Sequence, residues 1–132
     1  MAPLRTFAPC LGDTLSRLHE FLTLEANWNS YGADPVSLNA VETAISIMYS
    51  VQEELFGSIE ERIVPACVAP LDDGGVQIEW SGTNAEIEVE IGPDAALSYL
   101  LANGIGPERA FEEVESASLD LTLNKIFYTL LA

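Results

Sequence analysis

Basic residues are scarce in this chain. Of its 132 residues only five are Lys or Arg, whereas 21 are Asp or Glu, and the net charge is −16. A field of this sign repels DNA, RNA and anionic lipid surfaces, and it attracts basic protein surfaces and divalent cations. We therefore expect no direct nucleic-acid partner and no membrane partner. The alternative interpretation is that the acidity only keeps the protein soluble.

Histidine and cysteine are also scarce. His19 is the single histidine, and Cys10 and Cys67 are the two cysteines. They lack zinc-ligand spacing, and there is no Asp-rich loop of the EF-hand type, so we expect no cofactor. A single histidine gives Ser, Thr and Cys side chains little chance of activation, and no GxSxG elbow occurs. We expect a protein that is not an enzyme, with a small metal-dependent hydrolase as a minor alternative.

Long apolar runs are missing as well. No stretch approaches the roughly 18 apolar residues of a membrane span, and the N-terminus has no secretory pattern. The apolar content is nevertheless 48%, enough for one packed core. The composition therefore predicts a soluble cytoplasmic protein folded as a single domain over residues 1–132, with residues 1–12 as an N-terminal arm.

Three segments have the 3.6-residue period of amphipathic helices. The first covers residues 13–26. The second begins with Asp34 as its cap and Pro35 in its first turn, and it stops at Gly57. The third covers residues 119–132. Two helices thus precede the middle of the chain and one ends it.

The middle of the chain has the two-residue period of strands. "PACVAPL", "VQIEW" and "AEIEVEI" are separated by the turn signals "DDGG" and "SGTN", and "ALSYLLA" is better explained as a further strand than as a helix. Residues 104–118 are predicted to be a flexible acidic connection. The resulting fold class is α+β: two N-terminal helices, a three- or four-stranded antiparallel meander and a C-terminal helix.

Glutamates on one side of the second hairpin are the sharpest functional signal. A four-residue "SGTN" loop would place Glu79 opposite Glu86 and Gln77 opposite Glu88, with Glu90 beyond. Like charges opposed across strands are destabilising by roughly 0.2–1 kcal/mol per pair. We expect these four glutamates to form a charged binding surface, with Asp72 and Asp73 at its rim. The alternative is an exposed face kept soluble by charge.

The stretch "NWNSYGADPVS" joins the two N-terminal helices. Asn and Gly suit a tight corner, and Trp28 and Tyr31 are predicted to close the end of the helix pair, each with its polar tip on a partner. A role in contacting a ligand or protein is the alternative for Trp28, Tyr31 and Asp34.

The corner "NWNSYGADP", the hairpin "GGVQIEW" and the strand "AEIEVEIGPDAALSYL" resemble a widespread family of small uncharacterised bacterial proteins. The resemblance covers roughly residues 20–101. It implies a bacterial or mobile-element origin, and it implies no activity and no catalytic residue.

These observations favour a non-enzymatic acidic module that masks a basic surface of another protein, as an inhibitor, antitoxin-like or immunity-like partner. The masked surface could be a nucleic-acid-binding one, with the carboxylates imitating phosphates. The rival hypothesis is a structural subunit or homodimer whose acidity is incidental.

Overall fold

A computed structural model describes residues 11–55 and 67–131 of the chain. Within these ranges the α+β class is confirmed, with three helices and one antiparallel sheet. The elements in chain order are α1 (Leu11–Phe21), α2 (Leu38–Leu55), β1 (Cys67–Pro70), β2 (Val76–Ser81), β3 (Ala85–Ile91), β4 (Leu97–Asn103), a 3₁₀ turn (Gly106–Glu108), β5 (Ala110–Ala117) and α3 (Leu119–Leu131).

The sheet is a meander of five strands in the order β1-β2-β3-β4-β5. One face of it packs against the helices. Alternate side chains of the central strands, among them Ile78, Trp80, Ile87 and Val89, are buried there with Leu18, Val41 and Ile126 of the three helices in a single core. The two-residue period of these strands arises because the described helices cover only one face.

The predicted count of three or four strands is wrong, because a fifth strand lies within residues 104–118. That segment, expected to be a connection, contains the 3₁₀ turn and the eight residues of β5. A break in the β4–β5 register between Leu97 and Tyr99 marks a bulge. The segment "ALSYLLA" is a strand, as predicted, and it forms most of β4.

The second hairpin has a shorter loop than expected. The Gly82 N–H donates to the Ala85 carbonyl at 2.8 Å, so the loop is the pair Thr83–Asn84 instead of four residues. This shifts the pairing by two residues: Glu79 lies opposite Glu88, and Gln77 opposite Glu90. A shift of two keeps every side chain on its predicted face.

Helix α2 begins later than expected, and Asp34 does not cap it. The Ser37 hydroxyl accepts the Ala40 N–H at 2.9 Å, so Ser37 is the N-cap. Ser37 also donates to the Pro93 carbonyl at 2.8 Å, and the Asp34 N–H donates to the Asp72 carbonyl at 2.8 Å. The approach to α2 therefore joins the β1–β2 and β3–β4 turns to the helical layer.

The corner before α2 is held by its asparagines. Asn27 accepts the Gly32 N–H at 2.7 Å, and Asn29 accepts the Tyr31 and Ala33 N–H groups. Trp28 is half-buried and its indole N–H donates to the Asp34 carbonyl at 2.8 Å, as a structural corner requires. The prediction that Tyr31 closes the end of the helix pair is wrong, because its side chain is 90% exposed.

Helix α3 lies across β2, β3 and β4 and brings two threonines into the core. The hydroxyls of Thr122 and Thr129 donate to the carbonyls of Ser118 and Lys125 one turn earlier, both at 2.8 Å, so they are buried with a hydrogen bond. A Cβ on Gly82 would collide with the Thr129 carbonyl oxygen. Glycine is therefore required where the β2–β3 hairpin meets this helix.

Three predictions concern residues outside the described ranges: most of the arm 1–12, Cys10 and the helix stop at Gly57. Among the described helices, none has both the length and the apolar character needed to cross a bilayer.

Candidate functional site on the open face of the sheet

All three described helices pack on one side of the sheet, and we call the opposite side the open face. Register places its side chains in rows across the strands. The central row runs Cys67, Glu79, Glu88, Leu100, Glu113. A second row contains Ala69, Gln77, Glu90 and Ser98, and a third contains Ser81, Glu86, Ala102 and Phe111. Glu115 follows Glu113 on β5.

Glu79 and Glu88 are the one pair of like charges that the described strand register places directly opposite each other. Gly82 and Ala85 form a hydrogen-bonded pair. Hydrogen-bonded and non-hydrogen-bonded pairs alternate along an antiparallel ladder, so Glu79–Glu88, three pairs further on, occupies a non-hydrogen-bonded site. Side chains are closest at such sites. Both residues are half-buried, and the Gln77 amide donates to Glu79 at 3.2 Å.

The pKa of Glu88 lies above its usual value. Partial burial is the largest cause, and the negative charges of Glu79 and Glu90, a hydrogen bond with Glu79 and the charge of Glu86 act in the same direction. The folded protein therefore holds a proton on this carboxyl group more tightly than the unfolded chain does. A proton or another cation bound at the pair would reduce the repulsion between the carboxylates of Glu79 and Glu88.

A cleft of about 400 Å³ lies on the carboxylate-rich side of the open face. Five acidic residues line it: Asp73, Glu88, Glu90, Glu113 and Glu115. Asp73 also accepts the Gly75 N–H at 2.9 Å, which fixes it in the β1–β2 turn. The cleft is therefore an opening in which negative charges from β3, β5 and a turn converge.

The other end of the open face is partly neutralised. Arg109 Nη2 lies 3.3 Å from Glu86 Oε1, and its guanidinium carbon lies 6.0 Å from the Phe111 ring centre. Arg109 is the only cation that the described residues place on this face. Glu86 is therefore paired with a cation, whereas within the described part of the chain Glu79, Glu88 and Glu90 form no ion pair.

The predicted site residues separate into three groups. Glu79, Glu88, Glu90 and Asp73 come together on the open face and around its cleft. Glu86 belongs to the neutralised end. Asp72 lies in the same turn as Asp73 but does not line the cleft, and its carbonyl serves the approach to α2.

Sequence reasoning missed Glu113 and Glu115. In "AFEEVESA" the period of two is hidden, because Glu112 occupies a position that points towards the helices. The Tyr99 hydroxyl donates to Glu112 at 2.5 Å, and Lys125 Nζ lies 3.2 Å from both of its oxygens. Phe111, Glu113 and Glu115 do alternate, and this alternation was the available signal.

Metal binding finds no support in the described residues, which contain no group of three or more His, Cys, Asp or Glu side chains placed to hold an ion. His19 lies exposed on α1, in the other layer, with its Nδ1 3.0 Å from the Leu15 carbonyl. It is not near the carboxylates of the open face.

Comparison with known proteins gives no match: no family model, no curated protein and no solved structure is similar to this chain at a significant level. The resemblance to small bacterial proteins therefore stays a prediction.

Proposed function

We propose that the open face binds a basic surface of another protein and masks it, so that the chain acts as a non-enzymatic inhibitor, antitoxin-like or immunity-like partner. The observation that carries this proposal is the Glu79–Glu88 pair. Two carboxylates lie opposite each other on the open face, which no described helix covers, beside a cleft lined by Asp73, Glu90 and Glu113.

The pair is unfavourable in the free protein, and this supports a binding role. Opposed like charges in a sheet cost roughly 0.2–1 kcal/mol, and a lysine or threonine at either position would remove the cost. A partner's Lys or Arg side chain entering the cleft would form charge-assisted hydrogen bonds with carboxylates that have few partners among the described residues. Binding would then remove the repulsion between the carboxylates, and this would favour the complex.

The net charge of −16 extends this attraction beyond contact distance. Complementary fields accelerate encounter between charged proteins and weaken as salt screens them, with a Debye length of about 10 Å at 0.1 M and about 3 Å at 1 M. A nucleic-acid-binding protein is one partner of this class, because its binding surface is basic.

A homodimer through the helical layer is the second candidate. Tyr49 on α2 and Leu119, Tyr128 and Leu131 on α3 are each about half exposed or more. Exposed apolar side chains on neighbouring elements are typical of interfaces. This candidate predicts a dimer whose mass by light scattering is insensitive to salt and to substitutions on the open face.

Two triple variants with equal charge test the first candidate. In the face variant Glu79, Glu88 and Glu90 become Gln. In the control variant Glu20, Glu42 and Glu53, which are exposed on α1 and α2, become Gln. Each variant removes three negative charges, so the long-range field changes equally while only the face variant alters the site.

Wild type and both variants are used to capture proteins from a lysate of the source organism at about 0.05 M and about 0.5 M salt. We expect wild type and control to retain the same basic protein at low salt and to lose it at high salt, and the face variant to fail at both. Equal capture by the two triple variants would contradict the proposal.

A further inference from the structure

Strand β5 is an edge of the sheet. It pairs with β4 on one side, and within residues 11–55 and 67–131 no strand is hydrogen-bonded to its other side. With eight residues it is twice as long as β1, the opposite edge, which has four and ends in Pro70. Proline and brevity protect β1 from further pairing, whereas β5 has neither protection.

The ladder bonds determine which backbone groups of β5 are free. The Gly104 N–H donates to the Asn84 carbonyl at 2.7 Å. The backbone N–H and C=O groups of even-numbered β4 residues therefore point towards β3, and those of odd-numbered residues point towards β5. Their β5 partners are Ala110, Glu112 and Val114. Because successive backbone groups alternate in direction, the N–H and C=O groups of Phe111 and Glu113 point to the free edge.

The side chains beside these free groups indicate what kind of strand fits. Those of Glu113 and Glu115 lie on the open face and line its cleft, so a strand added to β5 would place alternate side chains next to them. Phe111, 66% exposed, offers an apolar contact at the start of the edge. Lysine or arginine at every second position would complement this edge.

A second copy of the chain is a poor occupant. Pairing β5 with itself in antiparallel register would bring Glu113 and Glu115 of both copies onto one continuous face. Like charges on neighbouring strands oppose pairing, and the two chains would each carry a net charge of −16. The glutamates thus disfavour self-association and favour a basic strand.

We infer that β5 accepts an extended, Lys- or Arg-bearing segment of the partner as a sixth strand, whose basic side chains enter the carboxylate cleft. The inference rests on the proposed function, since it says how the basic partner docks. Main-chain hydrogen bonds to Phe111 and Glu113 provide affinity, and the cleft provides selection for positive charge.

Two synthetic octapeptides serve as probes. Both alternate lysine with threonine, and one of them is N-methylated at alternate amides. The two peptides then carry equal charge, but one edge of the methylated peptide has no N–H groups to donate hydrogen bonds. The unmodified peptide is expected to bind about tenfold more tightly, since methylation removes the two main-chain hydrogen bonds that its amides donate to the carbonyls of Phe111 and Glu113. It should also slow amide hydrogen exchange at Phe111 and Glu113. Absence of binding at low salt, or equal affinity of the two peptides, overturns the inference.

A matched pair of variants tests the edge in the protein. Glu113→Thr removes the carboxylate and keeps the N–H, whereas Glu113→Pro also removes the N–H at a position where edge strands tolerate proline. We expect Glu113→Pro to bind the unmodified peptide about fivefold more weakly than Glu113→Thr, because it lacks one main-chain hydrogen bond that Glu113→Thr retains. A circular dichroism spectrum and melting temperature equal to wild type show that the strand is intact; if Glu113→Pro melts early, the methylated peptide gives the answer alone.

The outcomes separate this inference from the proposed function. If both peptides bind equally and the face variant loses both, the open face binds basic groups without strand addition, and only the inference fails. If the face variant binds both peptides as wild type does, the proposed function fails. A salt-insensitive dimer that disappears in Glu113→Pro would show that a second copy occupies the edge, and it would overturn the inference.

Discussion

Glu112 and Glu88 lie on opposite faces of the same sheet, and their surroundings differ in sign. On the helical side, the pKa of Glu112 is lowered, chiefly because the Tyr99 hydroxyl and Lys125 donate hydrogen bonds to it. Burial acts in the opposite direction, and the positive charge of Lys125 lowers the pKa further. Burial and the same hydrogen bond raise the pKa of Tyr99 to about 12. This carboxylate belongs to a satisfied network that joins β4, β5 and α3.

On the open face, every cause that acts on Glu88 raises its pKa. Its neighbours are other carboxylates, and the one cation among the described residues of that face is paired with Glu86. Among the described residues, Glu112 thus has two hydrogen-bond donors and a positive charge beside it, whereas Glu88 has only negative charges beside it. That difference supports the proposal that the open face binds a partner, whereas the helical side stabilises the fold.

The largest expected effect comes from adjacent residues of β2 on the two faces. Ile78→Ala leaves a cavity in a fully buried site and should lower the free energy of unfolding by about 2–5 kcal/mol. Glu79→Ala should change it by less than about 0.5 kcal/mol, or raise it, because it removes a like-charge contact. Urea unfolding of both variants checks the contrast, and comparable losses would refute the division between the faces.

A smaller effect is expected on β5. Glu112→Gln removes the charge that Lys125 meets and should cost about 1 kcal/mol, because the pair is partly exposed and screened by solvent. Glu113→Gln, one residue further, should be neutral within about 0.5 kcal/mol. The comparison uses the same denaturation assay, and a larger loss at Glu113 than at Glu112 would argue against the assigned network.

The smallest effect is a pH dependence of opposite sign at the two glutamates. The folded pKa of Glu88 is raised, so its contribution to stability is present below its usual pKa and is lost as pH rises through the folded value. The folded pKa of Glu112 is lowered, so its contribution to stability is present above the usual pKa and is lost as pH falls through the folded value.

Glu88→Gln should therefore stabilise the protein near neutral pH by a few tenths of a kcal/mol, with a gain that shrinks towards about pH 5. Glu112→Gln should destabilise it at neutral pH, with a cost that diminishes only below the usual carboxyl pKa. Unfolding curves across this range measure both differences. A Glu88→Gln gain that grows as pH falls would mean that the sign is wrong.

Much of the fold was predictable because burial on one face has a clear period. The strand Ala85–Ile91 has the predicted bounds, and the face of each glutamate in β2 and β3 was predictable even though the loop length was wrong. Helix ends were less predictable: Asp34 and Ser37 both suit a cap, and only contacts with the turns at Asp72 and Pro93 decide between them.

The amino-acid sequence by itself determined the excess of negative charge, the α+β class and the outward placement of Glu79, Glu88 and Glu90, because net charge and two-residue alternation are local properties. Tertiary structure alone decided that Glu113 and Glu115 share a cleft with Glu88, and that Glu112 has a cation and a hydroxyl donor while Glu88 has neither. These outcomes depend on contacts such as Glu112 with Tyr99 and Lys125, each 13 residues away in the chain, which no local pattern encodes.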